Sequence, residues 1–178
     1  DDGNDTIYGG EGDDLIFGGE GDDLILGGFG NNTIYGGQGN DTIHGGDGND
    51  LIFGNQGADY LQGNQGNDTI YGGQDNDTLL GIAGNNLLLG NLGNDFLVGG
   101  LESDTLYGGQ GNDTLIGGDG DDFLSGDKGN DLLIGGAGRD TFAIAYGQDT
   151  IADLEVGVDQ IWITAALDLS LIHISEPT

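Results

Sequence analysis

Apolar side chains return every nine residues over most of this chain. Fifteen consecutive nine-residue units run from residue 9 to residue 143 without insertion or deletion, and a partial unit, residues 1–8, precedes them. The eighth position is Ile, Leu or Phe in every unit, beginning with Ile7 and ending with Phe142. The first position is Gly in all fifteen complete units, and the sixth is Asp in fourteen of sixteen. One dependable apolar position per unit predicts a repeating structure in which each unit directs one side chain into a shared core.

The unit predicts a short strand followed by a turn. Three residues around the eighth position favour a strand with one side chain inward, and the other six, rich in Gly, Asn and Asp, favour a turn. Two units then make one flattened coil. Stacked coils place parallel strands about 4.8 Å apart, so the sixteen units, or about eight coils, predict a rod roughly 40 Å long.

The charge of the chain is hard to reconcile with a compact rod unless a cation is bound. Among 178 residues there are 32 Asp and Glu but only two basic residues, Lys128 and Arg139, which gives a formal charge of −30. Such self-repulsion, together with 41 glycines, would ordinarily predict disorder. It also makes nucleic acid an unfavourable partner. Cysteine is absent, which excludes disulfides and thiolate metal sites, and no apolar run approaches the roughly 20 residues that span a bilayer.

The repeat resembles the glycine-rich nonapeptide GGXGXDXUX of RTX (repeats-in-toxin) proteins, also called the hemolysin-type calcium-binding repeat. The resemblance covers residues 1–143 in one register. It implies an all-β fold, a right-handed parallel β-roll (a β-solenoid of two-nonapeptide coils) closed by a C-terminal capping segment. It also implies that the neutralising cation is calcium.

Calcium chemistry agrees with the residue types in the unit. Ca²⁺ takes six to eight oxygen ligands from carboxylates and backbone carbonyls, and glycines allow the positive φ angles that turn successive carbonyls toward one point. Residues 18 apart become neighbours along one edge of the coil stack. The resemblance implies an ion between two such turns, held by carbonyls of positions 2 and 4 and the Asp of one turn, with carbonyls of positions 1 and 3 and the Asp of the next. One such site would combine residues 46, 48 and 50 with residues 63, 65 and 68.

The resemblance therefore implies metal-binding residues throughout the repeats. Seven gaps on each edge allow up to about 14 calcium ions, whose +28 would nearly cancel the formal charge. The implied side-chain ligands are Asp5, Asp14, Asp23, Asn32, Asp41, Asp50, Asp59, Asp68, Asp77, Asn86, Asp95, Asp104, Asp113, Asp122, Asp131 and Asp140. Implied carbonyl ligands include those of Gly37, Gly39, Gly46, Gly48, Gly54, Gly63, Gln56 and Gln65.

The units do not all follow the pattern equally well. Asn32 and Asn86 replace the carboxylate with a neutral amide, whose oxygen can still ligate but adds no charge. Asp75 and Glu102 replace the fourth-position glycine. Bulk is added to the turns by Ile82, Leu92 and Leu101. We expect residues 72–107 to be the weakest part of the rod. The alternative that the aspartates only shape Asx turns, without metal, explains neither the strict period nor the uncompensated charge.

Aromatic residues recur at the ninth position on one side of the predicted coil stack. They form either a stabilising ladder or a ligand stripe, and they are Phe17, Tyr35, Phe53, Tyr71 and Tyr107.

The sequence contains no recognisable catalytic motif. No cysteine, GXSXG or HEXXH motif is present, so the sequence predicts no enzyme within this chain.

The period breaks after residue 143. Residues 144–168 resemble the strand-rich cap that follows RTX repeats, in which Asp149, Asp153 and Asp159 hold a final ion or form a solvated polar face. Residues 169–178, LSLIHISEPT, resemble a translated sequencing adapter, and we interpret residue 1 as the edge of a fragment.

The sequence thus predicts a calcium-binding module of a secreted bacterial RTX protein, which folds on binding calcium outside the cell. The resemblance implies export by a type I secretion apparatus and an extracellular or cell-surface location. The alternatives are the non-catalytic repeat region of a secreted RTX enzyme (a protease, lipase or epimerase) and that of a surface adhesin.

Overall fold

Two parallel β-sheets face each other and enclose the apolar column. The computed structural model describes residues 2–163 and the backbone of residues 173 and 174. Consecutive strands alternate between the two sheets, and each strand pairs in parallel with the strand two places later in the chain. The described residues form an all-β parallel solenoid of about nine turns, consistent with a β-roll, which confirms the predicted fold class.

The strands divide by parity between the sheets. The first sheet contains β1 (Thr6–Glu11), β3 (Leu24–Phe29), β5 (Thr42–Asp47), β7 (Tyr60–Gln65), β9 (Thr78–Ala83), β11 (Phe96–Leu101), β13 (Thr114–Asp119), β15 (Leu132–Ala137), β17 (Thr150–Ile151) and β19 (His173–Ile174). The second contains β2 (Leu15–Glu20), β4 (Thr33–Gln38), β6 (Leu51–Gln56), β8 (Thr69–Gln74), β10 (Leu87–Leu92), β12 (Thr105–Gln110), β14 (Phe123–Lys128), β16 (Thr141–Ile144) and β18 (Gln160–Ile163).

The strands are longer than the sequence pattern predicted. A repeat strand such as β6 has six residues instead of three, because it continues through the first three positions of the next unit. Those glycine-rich positions pair with the neighbouring coil: Gly46 lies opposite Asn64, and Asp47 opposite Gln65. Their backbone groups extend the ladder even though their side chains carry no strand signal. The turn is correspondingly short, positions four to six of each unit.

The eighth-position side chains form the core, as predicted. Every one of them from Ile25 to Phe142 is fully buried, whereas Ile7 at the first coil is only partly buried. Each fully buried Ile or Leu contributes about 1.5–3 kcal/mol by leaving water. Because each coil has 18 residues, these side chains form one stack on each sheet, and the two facing stacks make a single core.

Aromatic side chains at the ninth position stack on the outer face of the second sheet. The ring centroids of Phe17, Tyr35, Phe53 and Tyr71 lie 5.0, 4.8 and 4.9 Å apart in succession, with interplanar angles of 4–7°. The rings therefore cover one another's faces. This geometry favours the stabilising ladder over a ligand stripe, since a ligand could reach mainly the ring edges.

Both sheets continue beyond the nine-residue repeats. β17 pairs with β15 and β18 pairs with β16, and Ile151 is fully buried at the end of the core. The predicted boundary between repeats and cap stays a prediction. Of the segment 169–178, only the backbone of β19, which pairs with β17, is described; the rest lies outside the described residues. The part of the chain described here contains no helix long and apolar enough to cross a membrane.

Candidate metal centre

The sixth-position side chains line the two edges of the solenoid, where the turns stack. We name the two rows the Asp5 column and the Asp14 column after their first members. The Asp5 column contains Asp5, Asp23, Asp41, Asp59, Asp77, Asp95, Asp113 and Asp131. The Asp14 column contains Asp14, Asn32, Asp50, Asp68, Asn86, Asp104, Asp122 and Asp140. All of these side chains from Asp23 onward are buried.

One carboxylate oxygen of each aspartate ties a turn to the preceding turn on the same edge. Oδ1 of Asp68 accepts the backbone N–H of Asp50 at 2.8 Å, and Oδ1 of Asp59 accepts that of Asp41 at 2.7 Å. The same bond repeats every 18 residues along both columns. A hydrogen bond to an ionised acceptor in a buried place is among the stronger ones in proteins. Each column therefore stabilises the stacking of coils.

The second carboxylate oxygen has no such partner. Oδ2 is buried without a hydrogen bond in thirteen aspartates. This Oδ2 lies beside the first glycine of its own unit. At Gly45, for example, an added Cβ would overlap Oδ2 of Asp50 and lie 2.9 Å from the carbonyl oxygen of Gly63 in the next turn. A buried, unpartnered carboxylate oxygen beside a second acceptor is unfavourable unless a cation satisfies both. The invariant first glycine keeps that space free.

Burial also raises the pKa values of the column carboxyl groups from Asp41 to Asp140. Desolvation is the largest cause, and the neighbouring carboxylate of the same column adds to it: the pKa is raised to about 7 for Asp59, beside Asp41, and for Asp68, beside Asp50. The pKa of Asp77 is raised to about 8. A bound divalent cation would favour the ionised form instead. The buried carboxyl groups of the columns are therefore stabilised either by a bound cation or by protonation.

The oxygen ligands fit a hard cation whose coordination shell is completed by backbone carbonyls. Among the described residues, no three His, Asp or Glu side chains converge on one point, so carbonyls must supply the remaining ligands. Positive φ values of 119° at Gly46 and 131° at Gly48 provide the turns that redirect carbonyls. Oxygen-only ligands at this density are typical of calcium.

The structure brings the sequence-predicted ligands of one site onto adjacent turns. Strand β5 and the turn after it carry residues 46, 48 and 50, and strand β7 and its turn carry residues 63, 65 and 68. The carbonyl of Gln65 already accepts the N–H of Gly48 at 2.8 Å, and that of Gln56 accepts the N–H of Gly39 at 2.9 Å. Each of these carbonyls retains a second lone pair.

A family comparison agrees with this chemistry. The model of the RTX calcium-binding nonapeptide repeat (4 copies) matches residues 1–34, 17–52, 26–61, 53–88, 71–106, 80–115 and 107–142. The chain belongs to this family. It is an RTX calcium-binding repeat module, and the repeats found in it are non-catalytic. No curated protein gives a significant match.

The RTX turns contain a second hydrogen-bond ladder that the sequence analysis missed. At the exposed fifth position, the backbone N–H of Asn67 donates to Oδ1 of Asn49 at 2.7 Å, and that of Asn49 donates to Oδ1 of Asn31 at 2.8 Å. This ladder runs in the direction opposite to that of the buried columns. The signal was available, since the fifth position is Asn, Asp or Ser in every unit except those with Ala58 and Arg139.

Three aspartates that follow the RTX repeats accept backbone N–H groups of the last units, and two of them, Asp149 and Asp159, continue the buried columns. Oδ1 of Asp149 accepts the N–H of Asp131 at 3.2 Å, and Oδ1 of Asp159 accepts the N–H of Asp140 at 3.0 Å. Asp153 accepts the N–H groups of residues 135 and 136 at 2.9 and 2.8 Å. These carboxylates brace the last two complete units. That they also hold a final ion stays a prediction.

Departures from the RTX glycine pattern retain the glycine backbone conformation. φ is 89° at Ile82, 73° at Asp75 and 67° at Glu102. A β-branched residue at such an angle is strained. The expectation that residues 72–107 are the weakest stays a prediction, and this strain supports it.

Proposed function

We propose that this chain is a calcium-dependent folding module of a secreted bacterial RTX protein. The observation that carries the proposal is the set of thirteen buried, unpartnered Oδ2 atoms arranged in two columns. Without cations each column places carboxylates on successive turns with no counter-charge. With cations the same atoms become ligands.

Electrostatics explains why folding would wait for the ion. The formal charge of −30 is opposed by only two basic side chains. Bringing the aspartates into two buried columns concentrates this charge, and up to about 14 calcium ions would neutralise nearly all of it. Binding free energy then becomes folding free energy, as in other proteins whose metal site exists only in the folded state.

The proposed sites follow the ligand sets that the family resemblance implies. One uses carbonyls of Gly46, Gly48, Gly63 and Gln65 with the carboxylates of residues 50 and 68. The site one half-coil earlier, on the other edge, uses the corresponding set: Gly37, Gly39, Asp41, Gly54, Gln56 and Asp59. The chain's own part is to hold these oxygens on adjacent turns, through the Oδ1 ladder, and to exclude water from them.

The proposed place of action is outside the cell. Extracellular calcium modules bind at roughly 0.1–1 mM, a level that the cytosol does not provide. The chain would leave the cell unfolded, through a type I secretion apparatus, and order on arrival. Any catalytic or adhesive activity of the parent protein would belong to residues beyond this chain.

Limited proteolysis over a range of calcium concentrations tests this proposal. We expect rapid digestion in chelator and protection with a midpoint of roughly 0.1–1 mM. Magnesium at the same concentrations is the control. A protection midpoint below about 1 μM would place folding within the cytosolic range and refute the extracellular assignment.

A further inference from the structure

The amide groups of Asn32 and Asn86 are held in one orientation by the backbone. Oδ1 of Asn32 accepts the N–H of Asp14 at 3.0 Å, and Oδ1 of Asn86 accepts the N–H of Asp68 at 2.9 Å. Only the oxygen of an amide can accept this bond. The amide nitrogen must therefore take the place that Oδ2 occupies in the aspartate turns.

The position of the nitrogen confirms this exchange. A Cβ built on Gly27 would meet Nδ2 of Asn32, and one built on Gly81 would meet Nδ2 of Asn86, just as one on Gly45 would meet Oδ2 of Asp50. In these two turns an N–H donor therefore occupies the position that the unpartnered Oδ2 acceptor occupies in the aspartate turns.

This donor has a partner within its own unit. Nδ2 of Asn32 donates to the carbonyl oxygen of Gly30 at 3.2 Å, and Nδ2 of Asn86 donates to that of Gly84 at 3.0 Å. Both carbonyls belong to the fourth position, which is one of the ligand positions of the proposed calcium sites. An amide nitrogen has no lone pair to give a cation, and its N–H groups carry partial positive charge. The ion would lose a carboxylate ligand and face a competing donor at a carbonyl.

We propose that Asn32 and Asn86 are cation-independent clamps: in their two turns the side-chain amide does internally what a calcium ion does in the others, and one calcium site is lost at each. The inference rests on the proposed calcium function. It makes the two edges unequal, because both clamps lie in the Asp14 column, 54 residues or three coils apart, whereas the Asp5 column has aspartate in every turn. The clamps also provide two points of local order that persist when calcium is low.

Counting bound ions in single-residue variants tests this inference. Native mass spectrometry of the full chain in saturating calcium gives the number of ions, and circular dichroism in chelator gives the residual order. For Asn86→Asp and Asn32→Asp we expect one more ion each and less residual β signal, since each variant loses the clamp and adds a buried charge.

Asp68→Asn, in the adjacent turn of the same column, is the matched converse variant. We expect one ion fewer and more β signal in chelator, because its amide would donate to the carbonyl of Gly66. Unchanged ion counts in Asn86→Asp and Asp68→Asn, with normal binding by the parent chain, would overturn the clamp inference alone. A parent chain that binds no calcium would overturn the proposed function as well, so the two failures are distinguishable.

Discussion

Asp68 and Asp50 are joined by a hydrogen bond in which Oδ1 of Asp68 accepts the backbone N–H of Asp50 at 2.8 Å, while Oδ2 of Asp68 has no partner. The two oxygens of one carboxylate therefore have different tasks. Oδ1 holds the coils together, and Oδ2 presents negative charge to the gap between turns. Asn can perform the first task but not the second, and Ala can perform neither.

Replacing Asp50 and Asn86 by alanine separates these tasks. Each substitution removes the acceptor of one buried N–H, of Asn32 or of Asp68, and we expect each to cost about 1–3 kcal/mol of unfolding free energy. Because folding is coupled to calcium binding, both losses should raise the calcium midpoint of folding, but Asp50→Ala also removes a charged ligand and should raise it more. Calcium titrations of both variants, followed by circular dichroism, check this. Equal midpoints would speak against a ligand role for Asp50.

Acid should partly replace calcium. Burial and neighbouring carboxylates raise the pKa of Asp59 to about 7 and that of Asp77 to about 8, above the usual value of 3.8. The folded metal-free chain then binds protons more tightly than the unfolded chain, so these groups stabilise it fully below about pH 4, and this stabilisation is lost as the pH rises through 7 and 8.

The measurement is the circular dichroism of metal-stripped chain between pH 8 and pH 5, which stays above the pI of about 4.1. We expect β signal to increase toward pH 5. For the same reason, the calcium midpoint should rise as the pH falls from 8 to 6. A metal-free chain that is more ordered at pH 8 than at pH 5 would be inconsistent with buried carboxyl columns.

The exposed fifth-position ladder can be repaired at Ala58. The N–H of Ala58 donates to Oδ1 of Asn40 at 2.8 Å, but Ala58 has no side-chain acceptor for the next coil. Ala58→Asn should supply this side-chain acceptor and add about 0.5–1 kcal/mol of unfolding free energy in saturating calcium. Asn49→Ala, which removes the acceptor of the N–H of Asn67, is the matched converse and should lose a similar amount. Urea denaturation compares the two; no change in either would show that this ladder adds nothing to stability.

Relief of backbone strain should strengthen the middle of the rod. Ile82 has φ 89° where most units have glycine, at a cost of about 1–3 kcal/mol. Ile82→Gly should therefore stabilise the calcium-bound chain by about 1 kcal/mol, after subtracting the entropy that glycine adds to the unfolded state.

Its partner on the next strand provides the control. Gly100 has φ 120°, and a Cβ added there would overlap the carbonyl oxygen of Ile82, so Gly100→Ala should destabilise by more than 1 kcal/mol. Both variants can be measured by urea denaturation in saturating calcium. Destabilisation by Ile82→Gly would mean that packing of the isoleucine outweighs its backbone strain.

The nine-residue period was sufficient to predict the core and the pairing register. A single apolar position per unit leaves only one side chain, such as Ile52, to face inward, and the 18-residue coil then fixes its neighbours. Strand length was wrong, because glycine positions such as Gly46 join the sheet through backbone groups that leave no trace in side-chain pattern. The hydrogen bond from Nδ2 of Asn86 to the carbonyl oxygen of Gly84 was also missed. The side chain of Asn can present either its oxygen, as a ligand, or its N–H groups, as donors. In the structure the N–H of Asp68 binds Oδ1 of Asn86, so Nδ2 faces the gap.

The most direct test of the central claim is a calcium titration of the metal-stripped chain, followed by far-ultraviolet circular dichroism at pH 7.5 with magnesium as the control. Two buried columns of unpartnered carboxylate oxygens predict a chain that is largely disordered without metal, with only residual β signal, and that gains β signal cooperatively in millimolar calcium. Magnesium should have little effect, because it demands smaller, octahedral sites. A metal-free chain that already shows the full β signal at this pH, unchanged by calcium, would contradict the account.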